Sequence, residues 1–503
     1  MLDVVVNIVV VLYVLAILFV LFHSLFDAHL IYHYLRSHRK LNNAVYQHEI
    51  LPFVTIQLPV YNEMNVVERL LDTVAAIEYP ADKFEIQVLD DSTDETSVLI
   101  AQKIAVLQQR NIAVTHIQRQ NREGFKAGAL KHGLTKAKGE YIAVFDADFL
   151  PSSDFLKQTI PFFADPCIGM VQTKWGHINK DTSLLAKLQA IALDGHFSVE
   201  QQGRNAAGFF INFNGTAGVW RKQTILDAGN WHADTLTEDL DLSYRAQMKG
   251  WQFKYLEDVV TPAELPPLVS ALKSQQFRWT KGGAETAKKN LQPLFASSQP
   301  LPVKLHGAFH LIYSFGFISI ITYTLLTVPL LFIKKYYPQY DFVTKLSSAV
   351  GISFLVYILH YFIAWYNNTK GSIVSRIFGF IIHFPMFISL FIGISLSNSI
   401  GIIQGYLGIK SGFVRTPKFN SISAEDKIMK NKYAETKFNW LTLAEGLLII
   451  YFMFGLVQAL YFKNYGSIPL LLMAFAGFSM VFGWSVLETR KNVKPYKNVF
   501  AIE

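Results

Sequence analysis

The sequence predicts a two-part molecule: an α/β region with a mostly parallel sheet, set between helices that cross a membrane. Three observations predict it. Residues 4–24, "VVVNIVVVLYVLAILFVLFHS", run without charge for the ~20 residues that span a bilayer. From about 50 to 300 no such run occurs, and short apolar stretches alternate with helix-period ones in a β-α-β-α rhythm. After 300 the long apolar runs return.

Taken in order, the first run has no basic stretch before it and no small-residue cleavage site after it, so it reads as an anchor rather than a removed signal. The basic "YHYLRSHRK" (32–40) follows and places the next segment on the cytoplasmic side. "FVTIQLPV" (53–60), "FEIQVLDD" (84–91), "IAVTHIQR" (112–119) and "YIAVFDAD" (141–148) read as strands, with helices near 63–77, 95–109 and 125–137 between them. Two of the strands end in acidic pairs, where sheets of this kind bind ligands. Spans follow at roughly 309–333, 343–365, 441–462 and 468–487. The piece 377–404 is irregular, with Gly379, Pro385 and Gly393. Lys410, Arg415, Lys418, Lys427, Lys430, Lys432 and Lys437 place the loop 405–440 in the cytoplasm, and "RKNVKPYK" places the tail there too. Segment 377–404 is therefore expected to dip in and return, or to lie along the interface.

Composition agrees. Of 503 residues, 51% are hydrophobic, too many for an ordinary soluble chain. A net charge of +8 fits basic cytoplasmic loops facing anionic lipid better than it fits nucleic acid, and Cys167, the single cysteine, excludes an internal disulfide.

Five motifs carry chemistry, and each has a plain structural reading beside it. In "FDADF" (145–149), Asp146 and Asp148 can reach an oxygen-loving cation, or simply form a turn before Pro151. In "LDDSTDET" (89–96), Asp90 or Asp91 can accept hydrogen bonds from a base or ribose while Ser92 or Asp94 caps the next helix. "NREGFKAGAL" (121–130) brings Arg122 and Lys126 to a helix start, which favours phosphate, or makes a solvated basic turn. "QQFRW" (275–279) suits a sugar ring and equally an interfacial helix. "TEDLDLSYR" (237–245) places Glu238, Asp239 and Asp241 at a helix start, where Thr237 is a good N-cap and the acids offset the helix dipole.

The order D-D-S, D-A-D, T-E-D, Q-Q-F-R-W within one α/β segment resembles the processive family-2 glycosyltransferases, which make cellulose, mannan, hyaluronan and chitin. The phrases "NFNGTAGVWR" (212–221), "DTLTEDLDLSYRAQMKGW" (234–251) and "PAELP" (262–266) are most similar to the cellulose-synthase-like A and C groups of mannan, glucomannan and glucan synthases. The resemblance implies a GT-A fold, Rossmann-like with a mostly parallel sheet, joined to an α-helical transmembrane region. It divides the chain into an anchor at 1–30, a cytoplasmic catalytic domain with interfacial helices at 31–300, and a transmembrane region at 301–503.

It also implies roles. Asp239, beside Glu238, matches the general base, and Asp90 and Asp91 match the nucleotide contacts. Lys126 and Arg278 match donor phosphate contacts, and Asp146 and Asp148 the ligands of Mg²⁺ or Mn²⁺. Gln275, Trp279, Gly215 and Thr216 match the acceptor end. Phe413, Thr416 and Lys418 of "FVRTPK" match a gating loop, although Arg415 stands where Val is usual. The implied partners are a nucleotide-sugar, UDP-glucose or GDP-mannose, a polysaccharide acceptor and the bilayer, with no nucleic acid; an accessory subunit or second copy stays open. The implied location is a bacterial inner membrane or a Golgi membrane. Two other readings compete: a non-processive glycolipid glucosyltransferase of the ceramide type, and a transporter or receptor with an inactive nucleotide-binding domain.

Overall fold

The computed structural model describes residues 2–37, 51–412, 416, 418–420 and 439–490. Helix α1 (Leu2–Ser37) leads into an α/β unit built from β1 (Val54–Val60), α2 (Val67–Ala75), β2 (Phe84–Asp90), α3 (Thr96–Gln109), β3 (Val114–Gln118), α4 (Phe125–Lys136) and β4 (Tyr141–Val144). The second half adds α5 (Phe155–Thr159), β5 (Ile168–His177), α6 (Leu184–Asp194), a π-helical turn (Gly195–Gln201), α7 (Gln202–Ala207), β6 (Gly218–Arg221), α8 (Lys222–Asp227), α9 (Glu238–Met248) and β7 (Gln252–Ala263).

The seven strands form one sheet in the order β3-β2-β1-β4-β6-β5-β7. Strand β6 pairs antiparallel with both β4 and β5, and every other pairing is parallel. The four expected strands are β1 to β4. The apolar runs of β1, β2 and β4 are nearly all buried because helices cover both faces, while β3 at the sheet edge is half exposed. One core lies between β1, β2 and α2, α3, with Ile56, Leu58, Val88 and Leu70 fully buried; another lies under α4 and α9 around Trp220 and Trp231.

Helix α10 (Val269–Ala296) joins this unit to α11 (Leu301–Ile312), α12 (Gly316–Tyr336), α13 (Asp341–Asn368), α14 (Ile373–Gly393), α15 (Ser395–Leu407), α16 (Trp440–Tyr461) and α17 (Ile468–Arg490). Six helical stretches are long and apolar enough to cross a membrane: Leu2–Ser37, Leu301–Tyr336, Pro338–Asn368, Ile373–Gly393, Trp440–Tyr461 and Tyr465–Arg490. The irregular piece 377–404 resolves into α14 and α15, with a bend at Ile394. Helix α14 crosses α17 closely: a Cβ on Gly477 would lie 1.9 Å from the Ser389 carbonyl oxygen, so only glycine fits there. The end of α14 meets the first turn of α12, Phe391 stacking on Phe317 at 6.2 Å. Helix α15 then runs along α10, where Gly401 abuts Phe277 and Gly405 abuts Lys281.

Candidate functional site

The carboxyl ends of β1, β2 and β4 open into a cleft of about 180 Å³ whose walls carry Asp91, Arg122, Lys126, Asp146, Asp148, Gly215, Glu238, Asp239, Gln275, Arg278, Trp279, Thr416 and Lys418. The five motifs, far apart in the chain, therefore face one space.

Its centre is Lys126, in the first turn of α4. The ammonium donates to Asp146 Oδ1 at 2.5 Å and to the Gly215 carbonyl at 2.9 Å. Burial alone would lower its pKa; Asp146, Glu238 and Asp239 outweigh that and hold it above the ordinary lysine value. Gly215 has φ +82° and stands against Asp239: a Cβ there would come within 2.9 Å of Asp239 Oδ2. Glycine is needed both for the backbone and for the approach.

Asp239 sits in the first turn of α9 with its Oδ1 accepting the Leu240 N–H at 2.8 Å. Burial, then the neighbouring Glu238 carboxylate, push it up from 3.8 to about 7, with Lys126 opposing. Glu238 is raised too, by burial first and by Asp146, against Lys126 and Arg278. A carboxyl poised near neutrality beside an ammonium can accept a proton at physiological pH. Thr237 lies at the N-cap position, but its side chain makes no cap hydrogen bond. Its hydroxyl pairs instead with Thr286 Oγ1 on α10 at 3.0 Å, tying the two helices together.

Asp148 is almost wholly buried, 1% exposed. Its Oδ2 accepts Lys418 Nζ at 2.8 Å and the Glu264 N–H at 3.1 Å, while Oδ1 has no hydrogen-bond partner. An unpaired buried carboxylate oxygen two residues from Asp146 suits a divalent cation, so the residues present fit one. A second group, His232, Asp234 and Asp241, does not: Lys289 Nζ reaches all three, at 3.1, 2.8 and 3.1 Å, and already supplies the positive charge.

Two expected site residues stand elsewhere, and a third, Phe413, lies outside the described residues. Asp90 does not line the cleft. It is 2% exposed, and its carboxylate is taken up by the Ser92 N–H, the Ser97 hydroxyl and His116, which hold its pKa down against burial. Asp91 alone faces the cleft, gripped by Arg119 at 2.9 and 2.5 Å. Thr216 is buried behind the wall, its hydroxyl accepting the Asp146 N–H at 2.8 Å. Arg415, like Phe413, lies outside the described residues. Thr416 is buried at the cleft, and Lys418 reaches Asp148. After it, the Phe419 N–H donates to Glu264 Oε1 at 3.0 Å.

Other cleft residues were not singled out by pattern. Tyr61 stacks under Arg122, its ring centroid 3.3 Å from the guanidinium carbon. Trp175 lies 6.4 Å from Trp279, ring centre to ring centre, forming an aromatic wall. Glu264 was inside the quoted "PAELP", the one signal available for it.

Residues 52–282 match the family model described as "Glycosyltransferase like family 2". The chain is 42% identical over 272 residues to glucomannan 4-beta-mannosyltransferase 1 of Cyamopsis tetragonoloba, which covers 53% of this chain and 51% of that relative. It is 40% identical over 275 residues to glucomannan 4-beta-mannosyltransferase 2 of Arabidopsis thaliana, 53% of this chain and 50% of that one. The chain thus spans about half the length of the curated relatives it matches. Among solved structures, the mannosyltransferase PcManGT from Pyrobaculum calidifontis, in complex with GDP-Man and Mn²⁺, superposes with a TM-score of 0.51 at 20% identity, covering 71% of this chain and 98% of its own. With the sheet order, these likenesses show a GT-A-like fold that is similar, over residues 52–282, to the family-2 glycosyltransferases.

Proposed function

We propose that the chain is a membrane-embedded inverting glycosyltransferase that moves a mannosyl group from GDP-mannose to a growing β-linked polysaccharide. The observation that carries this is the raised carboxyl of Asp239, set against Gly215 and Lys126 within the cleft that also holds Asp146 and Asp148. The relatives' names support the mannosyl donor.

Asp239 takes the proton from an acceptor hydroxyl as that oxygen attacks the anomeric carbon from the face opposite the leaving group. One base, with no second carboxylate placed as a nucleophile, gives inversion, so an α-linked donor yields a β-linked product. Lys126 and Arg278 offset charge on the departing diphosphate, and Asp91 meets the nucleoside. Asp146 and Asp148 would hold Mg²⁺ or Mn²⁺, which when bound adds positive charge at the leaving group. Gln275 and Trp279 on α10 hold the acceptor sugar. The segment 373–407 enters and returns on the side of the catalytic unit, since α15 ends along α10.

The test uses the full chain in detergent, with a panel of GDP- and UDP-sugars and the products sized and linkage-mapped. β-Linked mannan growing to many residues is expected. Product from UDP-sugars alone overturns the donor, and a single-sugar glycolipid product overturns chain growth.

A further inference from the structure

A second hydrogen-bonded chain reaches the cleft from behind. It starts in the π-helical turn Gly195–Gln201, which sets His196 and Glu200 side by side. Glu200, 5% exposed, accepts the Tyr313 hydroxyl on Oε1 at 2.9 Å and Arg204 on Oε2 at 3.3 Å. The same Oε2 lies 3.1 Å from His196 Nδ1, and His196 Nε2 lies 3.2 Å from Asn214 Oδ1. That oxygen also accepts Asn212 Nδ2 at 2.8 Å, and the Asn214 backbone N–H donates to Gln172 Oε1 at 3.1 Å. The Asn214 amide is therefore oriented through its oxygen and through Nδ2, one hydrogen of which goes to the Asn212 carbonyl at 3.3 Å. It lines the cleft immediately before Gly215, the residue that faces Asp239. Beside it, Asn212 Oδ1 is buried without a hydrogen-bond partner.

We propose that Asn214 binds a hydroxyl of the acceptor hexose next to the attacking one, and that His196 and Glu200 are positioning residues that aim its amide. The assignment rests on the glycosyl-transfer reading above. Order along the sheet puts the contact on the acceptor. Asp91 follows β2, Asp146 and Asp148 follow β4, and Asn214 precedes β6, so the diphosphate position lies between Asn214 and the nucleoside end. The turn that holds His196 packs on α1 and α13, the side of the long apolar helices.

The experiment measures GDP affinity and transfer kinetics with a defined manno-oligosaccharide on the full-length chain. Asn214→Ala is expected to raise the acceptor KM about 3- to 10-fold, the worth of one hydrogen bond to a hydroxyl, with GDP affinity within about twofold. His196→Leu should match it, whereas His196→Gln, whose amide can still donate to Asn214 Oδ1, stays within about threefold of the parent. The double variant Asn214→Ala with His196→Leu should be no worse than either single, since residues acting through one contact are not additive. Additive losses, or no rescue by glutamine, reduce His196 to packing and overturn the proposal. An equal loss of GDP affinity overturns it by moving Asn214 to the donor. Should His196→Leu not fold, Glu200→Gln gives the same reading: an unchanged acceptor KM overturns the positioning role. A parent chain that transfers no sugar from any donor refutes the function itself, a result distinct from all of these.

Discussion

Replacing Asp239 with asparagine separates chemistry from folding in a way the geometry makes quantitative. The amide keeps the shape and can still accept the Leu240 N–H, but it takes no proton. Loss of a general base costs ~10²–10⁴-fold in rate, so kcat should fall by that factor while GDP affinity holds. Stability should move the other way. The carboxyl is raised from 3.8 to about 7 in the folded chain. Between those values the folded state holds a proton that the unfolded state releases, so this group's contribution is fully present below its unfolded value and is lost as pH rises through about 7. At about 1.4 kcal/mol per pH unit the ceiling is about 4 kcal/mol, and water in the open cleft reduces it to about 1–2 kcal/mol. At pH 8 the asparagine variant should therefore unfold at a higher temperature than the parent, with the gain shrinking toward pH 4. In the parent, turnover should rise with pH through about 7. The assays are sugar transfer from labelled donor and thermal unfolding in detergent at several pH values. Near-normal turnover in the variant would refute the base, and a variant destabilised at pH 8 would refute the electrostatic account of Asp239.

Three further outcomes follow from the same structure. Asp148→Ala should weaken GDP binding in the presence of Mn²⁺ to the level the parent shows in chelator, and binding unaffected by both treatments would remove the cation from the site. Lys273→Met should destabilise by ~3–5 kcal/mol because it strands buried Glu445, and adding Glu445→Gln should recover most of that; thermal unfolding in which the two losses add would refute the pairing. With Cys167→Ser as background, Ser411→Cys should react with a membrane-impermeant thiol reagent only in opened cells, and Asn464→Cys in intact ones; labelling of Ser411→Cys in intact cells would mean that the 373–407 segment crosses.

The first four strands were legible because short apolar runs alternate with helix-period segments, and two of the runs, those of β2 and β4, end in acids. Strand β5 was not, since buried Gln172, Thr173 and Lys174 break its pattern. They are tolerated because each is bonded: Thr173 to Thr261 at 2.9 Å, Gln172 to backbone carbonyls, Lys174 to Ser198 and Asn368. The Asp90 and Asp91 pair shows a different limit. Successive residues at a strand end point to opposite sides, and which one faces the cleft is decided by β3, where His116 stands ready to bind Asp90. Nothing local to "LDDS" carries that information. His196 escaped for a third reason: its link to Asn214 depends on a π-helical turn, which leaves no periodic trace.

The long helix α10 makes the membrane part and the reaction centre one mechanical unit. At its start, Glu488 of α17 accepts the N–H groups of Val269 and Ser270 at 2.6 and 3.2 Å, where a carboxylate also favours the helix dipole. One turn on, Lys273 meets Glu445 of α16 at 2.7 Å. The next turn presents Gln275, Arg278 and Trp279 to the cleft. Past them, Gly282 lies under Thr237, and Asn290 and Lys289 hold the fully buried Asp241 at 2.9 and 3.1 Å. Asp241 is two residues from Asp239 on the same helix turn. A shift of α16 or α17 therefore moves the acceptor-facing side chains and the base together, because α10 is fixed to the membrane helices at one end and to α9 at the other. On the function proposed above, that coupling would keep the attacking hydroxyl and Asp239 in register as a chain advances, which separate anchors for the two could not do.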